Sequence, residues 1–429
     1  MDASPATLAA WLTRIERLHH RPIDLTLDRV RTVADRLDLR FDCPVFVVGG
    51  TNGKGSTCAM LDSILRAAGY RVGLYTSPHL LRFNERVAID GVEVGDAALI
   101  EQFEAVDAAR GDTSLTYFEF TTLAALRLFA QARLDALVLE VGLGGRLDAV
   151  NIVDADCAIV TSIALDHMDY LGPTREHIGF EKAHIYRGGR PAICCDREPP
   201  ASLIDVATSL GADLWLSGRD FDHAGDRQQW AYRGRAQRRS GLPYPALRGT
   251  SQLLNAAGAL AALEALAQRL PVSQQAVRQG LLTVEIAGRF QVLPGRPAVI
   301  LDVAHNPHAA AVTARNLDAM GFYPQTHAVF GMLRDKDIDG VIAKVFDRID
   351  YWHLAPTPGE RGSDAWTIAQ RLRAAARARG VDAAFEIYAS IEEAYRAALG
   401  AASVDARILV FGSFFTVAGA MRARESSWQ

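Results

Sequence analysis

Short apolar runs alternate with longer stretches of helical periodicity along most of this chain. The runs 45–48, 72–76, 136–141, 158–162 and 191–194 have the length and β-branched content of buried strands. Between them lie helical stretches such as 121–132. Just after the first run, Cys58, Leu61, Ile64, Leu65 and Ala68 recur at three- and four-residue spacing, with Gly69 where a C-terminal cap belongs. Such alternation predicts a parallel sheet covered on both faces. A more polar stretch, 217–250, reads as short strands and loops. An Ala- and Leu-rich helix is expected over 253–268, and another after Pro271. Near 285–289 the pattern resets. Runs at 297–301, 326–330, 351–354, 384–388 and 407–411 again alternate with helical stretches. Two domains are therefore expected, 1–288 and 289–429, the second of about 140 residues. A crevice between two such domains is the expected place for a ligand.

The first apolar run stops at Gly49-Gly50-Thr51-Asn52-Gly53-Lys54-Gly55-Ser56-Thr57, and a helical pattern begins at once. Strand, glycine loop, lysine, hydroxyl and helix together make a phosphate cradle. Backbone N–H groups and the helix N-terminus receive oxygens, the lysine adds charge, and a hydroxyl holds Mg²⁺. The spacing departs from the standard motif: Val48 stands where its first glycine belongs, and Gly55 separates Lys54 from Ser56. The expected fold class is α/β. It comprises an N-terminal P-loop-type ATPase domain with a doubly wound, mostly parallel sheet, and a smaller C-terminal Rossmann-like α/β domain.

Composition narrows the partners. At 429 residues, 49% hydrophobic and 22% charged, the chain is ordinary for a globular protein. A formal charge of −4 without a basic run argues against nucleic acid. Five cysteines lack metal-ligand or disulfide-framework spacing. No run approaches a membrane span and no secretory pattern opens the chain, so a cytoplasmic protein with no membrane partner is expected.

Several polar residues stand where strands end, which is where open α/β sheets bind ligands. Glu140 closes an apolar run, so it either binds Mg²⁺ or pairs with a cation such as Arg146. His167, just past the next run, is either a structural histidine or a ligand, with Asp166 able to fix its ring. Lys182 shares a helical face with Ile178 and Ile185, and either snorkels to solvent or serves the site. In the second domain Asp302 and His305 follow one run, Lys336 another, and Ser413 the last. Arg289, at the junction, is either a phosphate contact or an exposed linker residue.

Taken together, Gly50–Thr57, Tyr75-Thr-Ser-Pro-His79, Arg82-Phe-Asn-Glu-Arg86, Leu139-Glu-Val-Gly-Leu-Gly-Gly-Arg-Leu-Asp148 and Asp302-Val-Ala-His-Asn-Pro307 closely resemble the folylpolyglutamate synthase/dihydrofolate synthase family of the Mur-ligase superfamily. The resemblance runs in motif order from about residue 25 to residue 420. It implies an ATP-dependent amide ligase in which a pterin-side carboxylate becomes an acyl phosphate that the glutamate amine displaces.

Carried onto matching positions, the resemblance implies that Gly50, Thr51, Asn52, Gly53, Lys54, Gly55, Ser56 and Thr57 hold ATP, with Asn255, Arg289, Asp302 and His305. Ser56 would bind one Mg²⁺, and Ser77, Glu140 and His167 a second. Lys54, Glu140, His167 and Lys182 would be the catalytic groups, Lys182 as a carbamate. Arg82, Thr116, Phe118 and Ala149 would meet the acceptor, dihydropteroate or a reduced folate, and Lys336 and Ser413 the incoming L-glutamate. Both activities and a monomer are expected. A tail-extending enzyme alone, or a nucleotide-binding regulatory module without chemistry, are the alternatives. A peptidoglycan-precursor Mur ligase would place a whole domain before the phosphate loop, which here begins soon after residue 45.

Overall fold

The computed structural model describes residues 5–426 except Arg227 and Thr250. Contacts gather them into two compact units. The first holds residues up to Ala164, Met168–Ala246 and Leu253–Val284; the second holds Leu165–His167, Leu247–Gln252 and residues from Glu285 on. The fold class is α/β in both.

The strands of the first unit are β1 (Val45–Gly49), β2 (Val72–Tyr75), β3 (Val87–Ile89), β4 (Val92–Glu93), β5 (Ala136–Glu140), β6 (Cys157–Val160), β7 (Pro191–Cys194) and β8 (Asp213–Leu216). They form one sheet in the order β4-β3-β2-β5-β1-β6-β7-β8. β1 lies at its centre, parallel to β5 and β6, with Phe46 opposite both Val138 and Cys157. Every residue of β1 and β5 is buried, which is why these runs carry no polar alternation. The sheet is mostly parallel. Only the β2–β3 and β3–β4 pairings at one edge are antiparallel, and β3 and β4, three and two residues long, left no readable run.

The helix after β1 spans Lys54–Ala67, with Ala68 as its C-cap and Gly69 beyond it at φ 91°. The helix expected over 121–132 starts a turn earlier, at Tyr117. Thr116 and Glu119 form a capping box there, which satisfies the first-turn N–H groups and extends the helix past its periodic core. The stretch 217–250 contributes an antiparallel sheet of β9 (Asp222–Gly225), β10 (Trp230–Arg233) and β11 (Arg238–Leu242); its residues 227 and 250 lie outside those described. Tyr232 donates to Glu264 Oε2 at 2.7 Å, fastening this sheet to the helix Gln252–Ala265.

The second unit has β12 (Gln291–Leu293), β13 (Ala298–Asp302), β14 (Thr326–Phe330), β15 (Tyr351–Leu354), β16 (Ala384–Ile387) and β17 (Arg407–Phe411), ordered β12-β13-β17-β14-β15-β16. All neighbours are parallel except β12, an antiparallel edge on β13. The fully buried strands β14 and β17 form its centre, with Ala328 opposite Leu409. Among the described residues no helix is long and apolar enough to cross a membrane. The five cysteines are free thiols.

Candidate active site

The glycine loop is held rigid by the strand beside it. Thr51 N donates to Ser162 O at 2.7 Å, and Thr161 Oγ1 donates to Asn52 O at 2.7 Å. Ser162 Oγ lies 3.1 Å from Asn52 N and 3.0 Å from Asn52 O. Thr161 and Ser162 follow β6, the neighbour of β1, so two hydroxyls at adjacent strand ends pin the turn. The sequence reading passed over both; a Thr-Ser pair closing an apolar run beside the loop strand is the signal for them. Gly53 has φ 94° and caps the helix, with no room for a side chain because a Cβ would lie 2.6 Å from Asn255 Oδ1. Asn255, far away in sequence, is buried with its side chain against Gly53 of the loop.

Two lysines meet at this loop. Lys54 Nζ donates to Gly50 O at 3.1 Å and lies 3.4 Å from Thr51 O. Lys182, 4% exposed on the helix Arg175–Ala183, donates to the same Gly50 carbonyl at 3.0 Å. It is therefore buried at the cradle and does not snorkel to solvent.

Glu140, at the end of β5, is 3% exposed and accepts from Ser77 N at 3.2 Å. Arg146 does not pair with it: that guanidinium grips Glu181, with Nε 3.0 Å and Nη2 2.9 Å from Oε1. The segment carrying Ser77 is set by Glu85, whose carboxylate collects the N–H groups of Leu80, Leu81 and Arg82 at 2.7 Å each. Arg82 itself points outward, 2.8 Å from Glu93. Ser56 is buried in the first turn of the loop helix. Hydroxyl and carboxylate oxygens of this kind suit Mg²⁺. That ion binds through one or two carboxylates plus phosphate and needs no dedicated cage. Among the described residues no group of three His, Cys, Asp or Glu side chains able to hold a metal gathers.

Around Gly142, the loop after β5 meets the expected acceptor residues. A Cβ there would lie 2.5 Å from the Phe118 ring, so only glycine lets the ring approach. Thr116 is buried as the N-cap of Phe118's helix. Ala149 is buried in a short 3₁₀ turn capped by Asp148. Asp148 accepts from Leu143 N at 2.8 Å and Val150 N at 3.0 Å. Burial nevertheless pushes its carboxyl up to about 6.

In the second unit, β13, β17 and β14 are adjacent and parallel, so the residues following them share one edge. Asp302 is buried, accepts from Thr313 Oγ1 at 2.6 Å, and is raised in pKa by that burial despite Arg289 nearby. Arg289 is half-buried, stacked 5.0 Å from the centre of the Phe414 ring; it is no exposed linker residue. Ser413 is a buried N-cap, accepting from Thr416 N at 3.0 Å. Asp166 gathers Lys336 Nζ at 2.6 Å, Asn306 Nδ2 at 3.1 Å and His305 Nε2 at 3.5 Å. Burial would raise its pKa, but His305, Lys336 and His167 together hold it well below the usual carboxylate range. His167, at φ 51°, has its Nε2 3.1 Å from Lys336 Nζ.

Comparison with known proteins agrees with this arrangement. Residues 48–217 match the Mur ligase middle domain and residues 288–414 the Mur ligase glutamate ligase domain. The chain is 47% identical over 420 residues to the dihydrofolate synthase/folylpolyglutamate synthase of Escherichia coli, spanning 98% of this chain and 95% of that one. The structure of Escherichia coli FolC in complex with DHPP and ADP superposes with a TM-score of 0.94 at 45% identity, covering 100% of both chains. A bifunctional folylpolyglutamate synthase/dihydrofolate synthase with Mn, AMPPNP and L-glutamate bound gives 0.90 at 47% identity, over 99% of this chain and 100% of that one. With a phosphate cradle and a buried carboxylate in one unit and a glutamate ligase domain in the other, the chain belongs to the dihydrofolate synthase/folylpolyglutamate synthase family of Mur ligases.

Proposed function

We propose that the chain is an ATP-dependent ligase that joins L-glutamate through an amide bond to dihydropteroate and to the glutamate tail of reduced folates. The observation that carries this reading is the cradle at Gly50–Thr57 with buried Glu140 and Lys182 beside it, in a chain nearly half identical to a relative with both activities over its full length. An acceptor carboxylate oxygen attacks the γ-phosphorus of ATP, and ADP leaves. The glutamate amine then attacks the acyl carbon, phosphate leaves, and the ammonium proton is released as the amide forms. Neither step needs a protein nucleophile, so positioning and charge stabilisation supply the rate.

ATP and a divalent metal ion serve the reaction; the ion supplies charge neutralisation at the phosphates. The loop residues Gly50, Thr51, Asn52, Gly53, Gly55 and Thr57, with Lys54, hold the phosphates. Ser56 is assigned to a first Mg²⁺, and Ser77, Glu140 and His167 to a second. Asn255, Arg289, Asp302 and His305 are assigned to the nucleotide. Arg82, Thr116, Phe118 and Ala149 serve the acceptor, and Lys336 and Ser413 the glutamate. Residues 1–288 form the ATP-binding part and 289–429 the glutamate-ligase part. Lys182 acts as a carbamate, which replaces a cation at the cradle by an anion that supports the metal. The chain works as a monomer on these small molecules, in the cytoplasm.

The test is product formation. Purified protein with ATP, Mg²⁺ and L-glutamate should release phosphate and yield a glutamylated product from dihydropteroate and from tetrahydrofolate. Folded, ATP-binding protein that makes neither product would refute the reading. Product from tetrahydrofolate alone would reduce it to tail extension.

A further inference from the structure

A closed ring of polar contacts clamps the segment that carries Thr116 and Phe118. Arg29, on the helix Asp28–Leu37, sends Nη2 to Glu119 Oε1 at 3.0 Å and Nη1 to Asp24 Oδ2 at 2.8 Å. Asp24 Oδ2 also lies 3.1 Å from His19 Nε2, and His19 Nδ1 lies 3.0 Å from Ser114 Oγ. Glu119 closes the ring: its Oε2 accepts from Thr116 N at 2.7 Å, while Thr116 Oγ1 accepts from Glu119 N at 3.2 Å. Residues 114 and 119 are thus held at both ends by one chain of contacts from residues 19–29.

Such a clamp is more than a helix cap. A capping box needs only its own two residues, yet here the Glu119 carboxylate is 4% exposed and bonded to a guanidinium 90 positions away. Among the described residues Arg29 is the cation paired with it, so loss of Arg29 leaves a buried carboxylate without its countercharge. The helix start it fixes has no slack on its other side, since Phe118 already fills the space a side chain at Gly142 would need. A small drift of the first turn therefore moves the ring against the loop that follows Glu140.

We infer that Arg29 is a positioning residue for the acceptor: through Glu119 it sets the placement of Thr116 and Phe118, and hence affinity for the pterin-bearing substrate. The inference rests on the acceptor role proposed above for those two residues.

Full-length wild type, Arg29→Lys, Arg29→Met and Glu119→Gln are compared by equilibrium binding of dihydropteroate and, separately, of Mg–ATP, with KM and kcat for each substrate. Arg29→Met should weaken dihydropteroate binding and raise its KM by about tenfold or more, with ATP binding within about twofold of wild type. Arg29→Lys, which keeps the charge but not the fork, should recover part of that loss. If Arg29→Met does not fold, Arg29→Lys and Glu119→Gln carry the test, both expected to lose dihydropteroate affinity selectively. Equal loss for both ligands, or no loss in any folded variant, overturns the proposal. A wild type that binds ATP but no dihydropteroate removes the acceptor reading instead, and the proposal with it.

Discussion

Replacing Gly50 by alanine should be much more damaging than replacing Gly69, although both have positive φ, 137° and 91°. At Gly69 an added Cβ meets nothing within 4 Å, so only backbone strain remains, about 1–2 kcal/mol. At Gly50 the Cβ would fall inside the Thr161 hydroxyl and lie 2.9 Å from Thr161 N and 3.1 Å from Ser162 N. The hydroxyl can rotate, but only by giving up its contacts to Gly49 O at 3.2 Å and Asn52 O at 2.7 Å. The backbone nitrogen cannot retreat, because Thr161 N is bonded to Gly49 O at 3.0 Å. Strain of about 1–3 kcal/mol and overpacking of about 1–3 kcal/mol together give about 2–6 kcal/mol. Urea unfolding followed by circular dichroism measures this, and since both residues lie in the first unit, one transition reports both variants. Nucleotide titration supplies the functional half: Gly50→Ala should bind ATP at least about tenfold more weakly, because its carbonyl and its turn shape the cradle, while Gly69→Ala should bind it as wild type does. Equal midpoints for the two variants, or wild-type ATP affinity in Gly50→Ala, would refute the reasoning.

Other outcomes are equally direct. Lys182→Ala should be nearly inactive, and wild-type activity should fall after CO₂ removal at mildly acidic pH and return with bicarbonate; insensitivity to bicarbonate counts against the carbamate. His79, which accepts from Arg86 Nε at 2.8 Å, is lowered to about 4 by burial and by Arg86. In the unfolded chain the imidazole keeps its ordinary value of 6.5 and therefore takes up the proton first. Stability should fall as pH drops from about 6.5 to about 4 and flatten below that; His79→Gln should lose this component, as unfolding midpoints across pH will reveal. Lys336→Met removes the lysine partner of Asp166, whose side chain is 9% exposed, and leaves it the contacts to Asn306 and His305. A loss of about 3 kcal/mol is expected in the unfolding of the second unit, and a change under about 0.5 kcal/mol would mean that His305 and Asn306 suffice.

Much of this protein was legible in its sequence because the signals were local. β1 and β5 are apolar on both faces as central parallel strands must be, and the glycine loop between β1 and its helix carries its own turn chemistry. Glu140 was visible as a carboxylate at the end of a buried strand, since such a charge demands a reason wherever it occurs. What sequence left open was settled by contacts between distant positions. Whether Glu140 paired with Arg146 depended on Glu181, and whether Lys182 reached solvent depended on the carbonyl of Gly50. Likewise the ring through Arg29 joins residues up to 95 positions apart, and no periodicity encodes it; the capping box of Thr116 and Glu119, by contrast, lies within three positions. The short strands β3, β4 and β12, at or next to sheet edges, were missed for a related reason. Only two or three residues long, they are too short to show a period of their own, and a neighbouring strand's backbone completes them. Local pattern thus decided which segments become strands, helices and phosphate loop, while burial, which only the folded chain creates, decided which polar groups are paired and which are turned to the site.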